Sequence, residues 1–322
     1  MAEEDADPTG SVTLSFSGSG YLVVYQIGVI QALQDLAPEI LKSASRVCGA
    51  SAGSLAATAL VCGVNLEDFQ NFVTEAGKKA RESTCGPLLP TFNLLHIVQK
   101  GLNRFLPANA HQLASGRLHI ALTRLSDWKN VLVSDYRSNE ELIQALMCSC
   151  FVPFYCGFVP PSFRGVRYVD GGFTSMQPLF GLKSLITISP YTGEHDICPR
   201  ECPVSYNCFE VLNTSFQVSI ENLSRLTYSL FPPEPMVLKD FHCQGYKDAV
   251  LFLHNNTVAV GLHQKKSDMM GSLTHIIAVR LLSETLTLKK SEITGLNKKQ
   301  IHRQQPEGSC VSIPSALTEV NT

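Results

Sequence analysis

Apolar side chains along this chain follow two alternating rhythms. Val12-Thr13-Leu14-Ser15-Phe16-Ser17 alternates apolar and small polar residues, the period of a strand. Residues 21–36 then carry apolar positions at helical spacing, and Gly18-Ser19-Gly20 joins the two segments. The pattern repeats downstream. A short helix over 38–44 opens on Pro38 and leads to a strand at 45–48. After Ser51 a helix runs to Gly63, apolar on nearly all sides, which predicts a central, buried element. Asn65 is placed to cap the next helix, with Asp68 in its first turn, extending to about residue 81. Residues 83–91, broken by Gly86, Pro87 and Pro90, read as a loop, and 93–105 as a helix.

Further on, strands at 117–123 and 130–134 are predicted to form a hairpin through Asp127 and Trp128. A helix over 138–148 opens on Ser138 with Glu141 three residues on, the spacing of a capping box. Residues 151–161 are apolar, aromatic and punctuated by proline. A strand at 166–169 ends in Asp170-Gly171-Gly172, and another spans 185–189. Residues 213–230 and 236–253 read as helices, and no internal repeat is present. Strands alternating with helices predict an α/β fold of three layers around a mainly parallel sheet. The expected organisation is a disordered N-terminus (1–11), a main α/β domain (12–190), a helical extension packed on it (191–253) and a partly disordered tail (254–322).

Composition narrows the function classes. Hydrophobic residues make up 44%, enough for a sizeable core. The net charge of −2 excludes the basic footprint of a nucleic-acid binder. Eleven cysteines, an odd number at irregular spacing, predict reduced thiols in a cytosolic setting. The acidic N-terminal residues lack the basic and apolar regions of a secretory signal, and no apolar run reaches the ~18 residues of a membrane span. The expectation is a cytoplasmic protein, soluble or peripheral. Charged residues are only 17%, which leaves apolar surface to meet lipid.

Candidate chemistry centres on Gly49-Ala50-Ser51-Ala52-Gly53, a Gly-x-Ser-x-Gly turn between a strand and a helix. Such a turn exposes a serine hydroxyl at a helix N-terminus, where developing negative charge is favoured. The loop Gly18, Ser19, Gly20 follows a strand and directs backbone N–H groups at an anion. A dinucleotide fingerprint needs a third glycine, but Val23 stands there, so an oxyanion loop is favoured. Asp170, before Gly171 and Gly172, ends a further strand and is the candidate base. A triad in the order Ser51, Asp170, His195 is the alternative, but too few strands precede Ser51 for an α/β-hydrolase, and a Ser–Asp dyad is favoured. His96, His111 and His119 are expected to be structural. Cys198 and Cys202 with His195 lack a second close pair, so no metal and no cofactor are predicted. Cys148, Cys150 and Cys156 read as buried thiols beside an apolar wall.

Taken in order, the glycine loop, Gly-Ala-Ser-Ala-Gly and Asp-Gly-Gly resemble the patatin-like phospholipases. The stretches at 15–21, 148–153 and 163–168 are similar to the adiponutrin and adipose triglyceride lipase subgroup. Val23, Met176 and the stretches at 196–203 and 213–217 are similar to a transacylase member of that subgroup. The resemblance implies a Ser51–Asp170 dyad, with an oxyanion hole from Gly18, Ser19 and Gly20. It also implies neutral-lipid substrates, attachment to a lipid-droplet or membrane surface, and a lipase co-activator protein as partner. The implied reaction is acyl transfer from triacylglycerol to the alcohol of an omega-hydroxyceramide. Triacylglycerol or phospholipid hydrolysis is the alternative, and a catalytically weak lipid-droplet scaffold is a second one.

Overall fold

The computed structural model describes residues 12–82, 92–178, 184–200 and 208–259. The N-terminal residues, the 83–91 loop, Cys202 and the tail beyond 259 lie outside the described residues. Strand β1 (Val12–Phe16) is buried on both faces, as its apolar and small polar alternation allows. It pairs in parallel with β2 (Ala44–Ala50). Before β2 come helices α1 (Val23–Leu36) and α2 (Pro38–Ser43), and after it α3 (Ala52–Cys62) and α4 (Leu66–Arg81). Asn65 caps α4, its side chain accepting from Asp68 N at 2.9 Å. Helices α5 (Leu94–Phe105) and α6 (Ala110–Ala114) lead to β3 (Leu118–Arg124), parallel to β2, and β4 (Asn130–Val133), antiparallel to β3.

Helix α7 (Asn139–Ser149) is capped by Ser138, but the reciprocal arm of the capping box differs from the expected one. Glu141 Oε2 accepts from Arg137 N at 3.0 Å, one residue before the cap. Strands β5 (Ser162–Phe163), β6 (Val166–Asp170) and β7 (Leu185–Ile188) complete the main sheet, in the order β5-β6-β3-β2-β1-β7 with β4 also on β3. The fold is thus mixed α/β with a parallel centre, β3-β2-β1-β7, and antiparallel additions at one side.

One register places the site. β2 pairs with β3 up to Ala50↔Ala121, and β6 takes over with Asp170↔Leu122. β4 pairs with residues of β3 that both of these strands also pair with, so β2 and β6 share the opposite edge. Because β6 runs antiparallel to β3, its last residue, Asp170, meets the last residue of β2, Ala50.

One correction concerns the C-terminal part. Residues 213–217 are not helical. Strands β8 (Cys208–Val211) and β9 (Thr214–Gln217) form a hairpin whose turn residues Leu212 and Asn213 both have positive φ, 52° and 55°. That backbone matches the twist of a tight hairpin, and Phe209 stacks on Phe216 across it at 6.2 Å. Helix α8 (Ile220–Leu230) starts only after Ser219, whose hydroxyl accepts from Asn222 N. Helix α9 (Pro235–Ala259) then lies along α1 at backbone contact. A Cβ on Gly28 would run into the His242 carbonyl, and one on Gly245 into that of Tyr25. Tyr25 donates to Asp248 Oδ2 at 2.8 Å across this interface. The described residues belong to one compact unit.

Candidate active site

At the end of β2 the chain turns sharply into α3 through Ser51, at φ 51°, ψ −133°. A positive φ on a residue other than glycine costs on the order of 1–3 kcal/mol and persists only where neighbours over-determine it. Here they do. Ser51 N donates to Ser149 Oγ at 2.9 Å, and that hydroxyl donates to Ala121 O at 2.8 Å. Ser54 N and Oγ both donate to Ser51 O, at 2.9 and 2.6 Å. The glycines of the motif are required by space. A Cβ on Gly49 would strike the Gly53 carbonyl, and one on Gly53 the carbonyls of Ser17 and Phe16. The turn thus holds Ser51 Oγ at the positive end of an eleven-residue helix.

Asp170 is 5% exposed. Its Oδ1 accepts from Gly172 N at 2.8 Å. Oδ2 is buried without a partner of ordinary hydrogen-bond geometry, while the Ser51 hydroxyl lies close enough to favour the charged carboxylate. Burial outweighs both aids and pushes the carboxyl up to about 6. The backbone is pinned by Asp170 N donating to Phe151 O and Thr123 Oγ1 donating to Asp170 O, both at 2.8 Å. A Cβ on Gly171 would meet the Ala121 carbonyl, so Asp-Gly-Gly packs directly on β3. A buried carboxylate titrating near 6, facing a serine hydroxyl, has the basicity suited to accepting its proton near neutrality.

The glycine loop needs one correction. Gly18 N already donates to Met176 O at 2.8 Å, so it is not free to bind an oxyanion. Among the described residues the N–H groups of Ser19 and Gly20 have no acceptor. Gly20 has φ +51°, and a Cβ there would strike the Ser229 carbonyl at the end of α8. A brace that sequence reasoning missed is Gln26. It is fully buried on α1, donates to Ser17 O at 2.8 Å and accepts from Ser19 Oγ at 3.2 Å. The available signal was a lone amide in the otherwise apolar run from Val23 to Ile30.

The other candidates sit elsewhere. His195 is buried against the β8–β9 hairpin, Nε2 facing Ser215 O at 3.0 Å, and burial lowers its pKa. It does not line the site around Ser51. His96 is exposed on α5, His111 pairs with Asn139 Oδ1 at 2.8 Å, and His119 with Arg117 O at 3.2 Å. Among the described residues no group of three or more metal-type ligands converges. Cys150 and Cys156 line the site, and burial pushes the Cys156 thiol up to about 11, away from thiolate chemistry.

Ser51 and Asp170 border an apolar chamber of about 360 Å³ that runs along α3 between α4 and α5. Val152 and Tyr155 line it, and between and beyond them the same loop turns Phe154 and Phe158 outward, 77% and 80% exposed.

Residues 14–183, more than half of the chain, match the family model described as patatin-like phospholipase. The chain belongs to the patatin-like phospholipase family. A human omega-hydroxyceramide transacylase is 45% identical over 81% of this chain and 49% of its own length. Human patatin-like phospholipase domain-containing protein 2 is 49% identical over 76% of this chain and 48% of its own. A human 1-acylglycerol-3-phosphate O-acyltransferase is 43% identical over 76% of this chain and 51% of its own. The chain thus spans about half the length of the curated relatives it matches. The patatin-like match includes the loop at Gly18–Gly20, Ser51 and Asp170. Among the described residues no helix is long and apolar enough to cross a membrane.

Proposed function

We propose that this chain is a serine acyl hydrolase and transacylase acting on neutral lipids through Ser51 and Asp170. The observation that carries the reading is the strained Ser51 beside the buried Asp170 at an apolar chamber. Ser51 Oγ attacks the ester carbonyl while Asp170 takes its proton. The carbonyl oxygen gains negative charge, which the N–H groups of Ser19 and Gly20 and the N-terminus of α3 stabilise. The tetrahedral species collapses, the glycerol oxygen leaves with the proton from Asp170, and Ser51 holds the acyl group. An alcohol then gives its proton to Asp170 and attacks the acyl carbon, and the serine leaves reprotonated. Water in place of the alcohol gives free fatty acid.

The omega-hydroxyceramide acceptor, with triacylglycerol as donor, rests on the likeness to the human transacylase. Work at a lipid-droplet or membrane surface is supported by the outward Phe154 and Phe158 beside the chamber. Transfer over hydrolysis is favoured by a dry lining around the acyl-enzyme. Met176 contributes to it: the side chain lines the chamber against Gly18, while its backbone N donates to Leu212 O at 2.8 Å. Met176→Asn would place an amide able to hold a water there. With one labelled triacylglycerol pool and omega-hydroxyceramide, wild type should form acylceramide, and Met176→Asn should shift product severalfold toward free fatty acid. Free fatty acid as the sole wild-type product would leave plain hydrolysis as the activity. No Ser51-dependent product of either kind would leave the scaffold alternative.

A further inference from the structure

The chamber beside Ser51 ends in an unusual pairing. Along α3 its wall is formed by Leu55, Thr58 and Ala59, one face of the helix running about 12 Å from the nucleophile. Thr58 adds no free polarity, because its hydroxyl donates to Ser54 O. The far end is fixed by connectivity. α4 begins just past the C-terminus of α3, so Phe72 sits one to two turns from that end. α5 finishes at Phe105, shortly before α6, and Cys62 at the end of α3 reaches the Ala110 carbonyl of α6. Phe72 and Phe105 meet edge to face at 5.5 Å, and both line the chamber.

Gly101, one turn before Phe105, is buried in the interior of α5. Nothing in its backbone requires glycine, since its φ is not in the left-handed region. Glycine in a helix interior is unfavourable relative to alanine. Its reason here is space: a Cβ would lie 2.6 Å from Phe72 Cζ and 2.7 Å from Cε1. The missing side chain of Gly101 is the seat of the Phe72 ring. Filling that seat displaces the ring, and the chamber that it lines is open space beside it.

We propose that Gly101 and Phe72 together set the length of acyl chain this chain accepts, with the seated ring leaving room for a long one. The proposal rests on the reading of Ser51 as the acylated residue. Gly101→Ala displaces the ring, and the remote end of a long chain loses its place while the ester carbonyl at Ser51 does not. Phe72→Ala removes the ring, so a Cβ at position 101 no longer matters.

The test uses the full chain with p-nitrophenyl butyrate and p-nitrophenyl palmitate. Gly101→Ala should lower kcat/KM for palmitate tenfold or more and leave butyrate within about twofold. Phe72→Ala should keep palmitate turnover, and Gly101→Ala combined with Phe72→Ala should restore it. Equal loss on both esters, or no rescue in the double variant, overturns the gauge. If Gly101→Ala does not fold, Phe72→Ala alone decides: retained or increased palmitate preference upholds the gauge, and selective loss of palmitate overturns it. Thermal protection by decanoic and palmitic acids reads the same preference without turnover. Activity that survives Ser51→Ala would sink the acyl-enzyme reading, while the fatty-acid series still reports on the gauge.

Discussion

Ser51→Ala and Asp170→Asn are each expected to lower kcat by about 10⁴-fold or more, the scale seen when one member of a catalytic unit is removed. The double variant should be no worse than either single one, because in the proposed mechanism both residues serve one step, formation of the acyl-serine. The fold should survive, since Ser51 is held by its backbone bonds to Ser149 and Ser54 rather than by its hydroxyl. The acid limb of kcat/KM should lie near pH 6, where burial places the Asp170 carboxyl. His195→Ala should keep most of kcat while losing stability, because the ring is buried under the β8–β9 hairpin and faces Ser215 O. Steady-state kinetics on a soluble ester, with circular dichroism on each variant, checks all of this. A folded His195→Ala as inactive as Asp170→Asn would require a triad instead.

The two residues of the proposed dyad, Ser51 and Asp170, stand out in the sequence because each lies in a glycine-bounded turn after a strand, a local device that needs no partner to be recognised. The parallel centre of the sheet was readable for the same reason, from strands alternating with helices. What stayed hidden depends on contacts between distant positions. The Gly18 N–H is consumed by a carbonyl more than a hundred residues away, at Met176, so the loop holds fewer free donors than its sequence implied. The antiparallel entry of β6, which brings Asp170 to Ala50, follows from pairing with β3 and not from the strand itself. Residues 213–217 misled because the Leu212-Asn213 turn lacks a glycine, and the adjoining segment shares the helical periodicity of α8. Gly101 carries no signal of its own in the sequence of α5, and its role follows from the Phe72 ring that fills the space of a side chain there.

Asp170→Asn should also make the protein more stable at neutral pH. Burial raises the Asp170 carboxyl from an ordinary 3.8 to about 6. Between those values the folded state holds the proton more tightly than the unfolded chain, so stability falls as pH rises through this window. Above about pH 6 the cost is fully present, and at roughly 1.4 kcal/mol per pKa unit it comes to about 3 kcal/mol at pH 7. Asparagine removes the charge, keeps an oxygen to accept from Gly172 N, and turns an NH₂ group toward the Ser51 hydroxyl. The variant should therefore gain up to about 3 kcal/mol at pH 7, about half of that at pH 5, and about a fifth of it near pH 4. Urea unfolding of both proteins at these three pH values measures the gap directly. A gap that stays constant with pH would mean that the gain, if any, comes from packing, and a gap that widens on acidification would contradict the raised carboxyl altogether. The predicted pattern ties the two effects to one cause: the desolvation that, in the proposed mechanism, makes Asp170 basic enough to take the Ser51 proton is the same desolvation that weakens the fold at neutral pH.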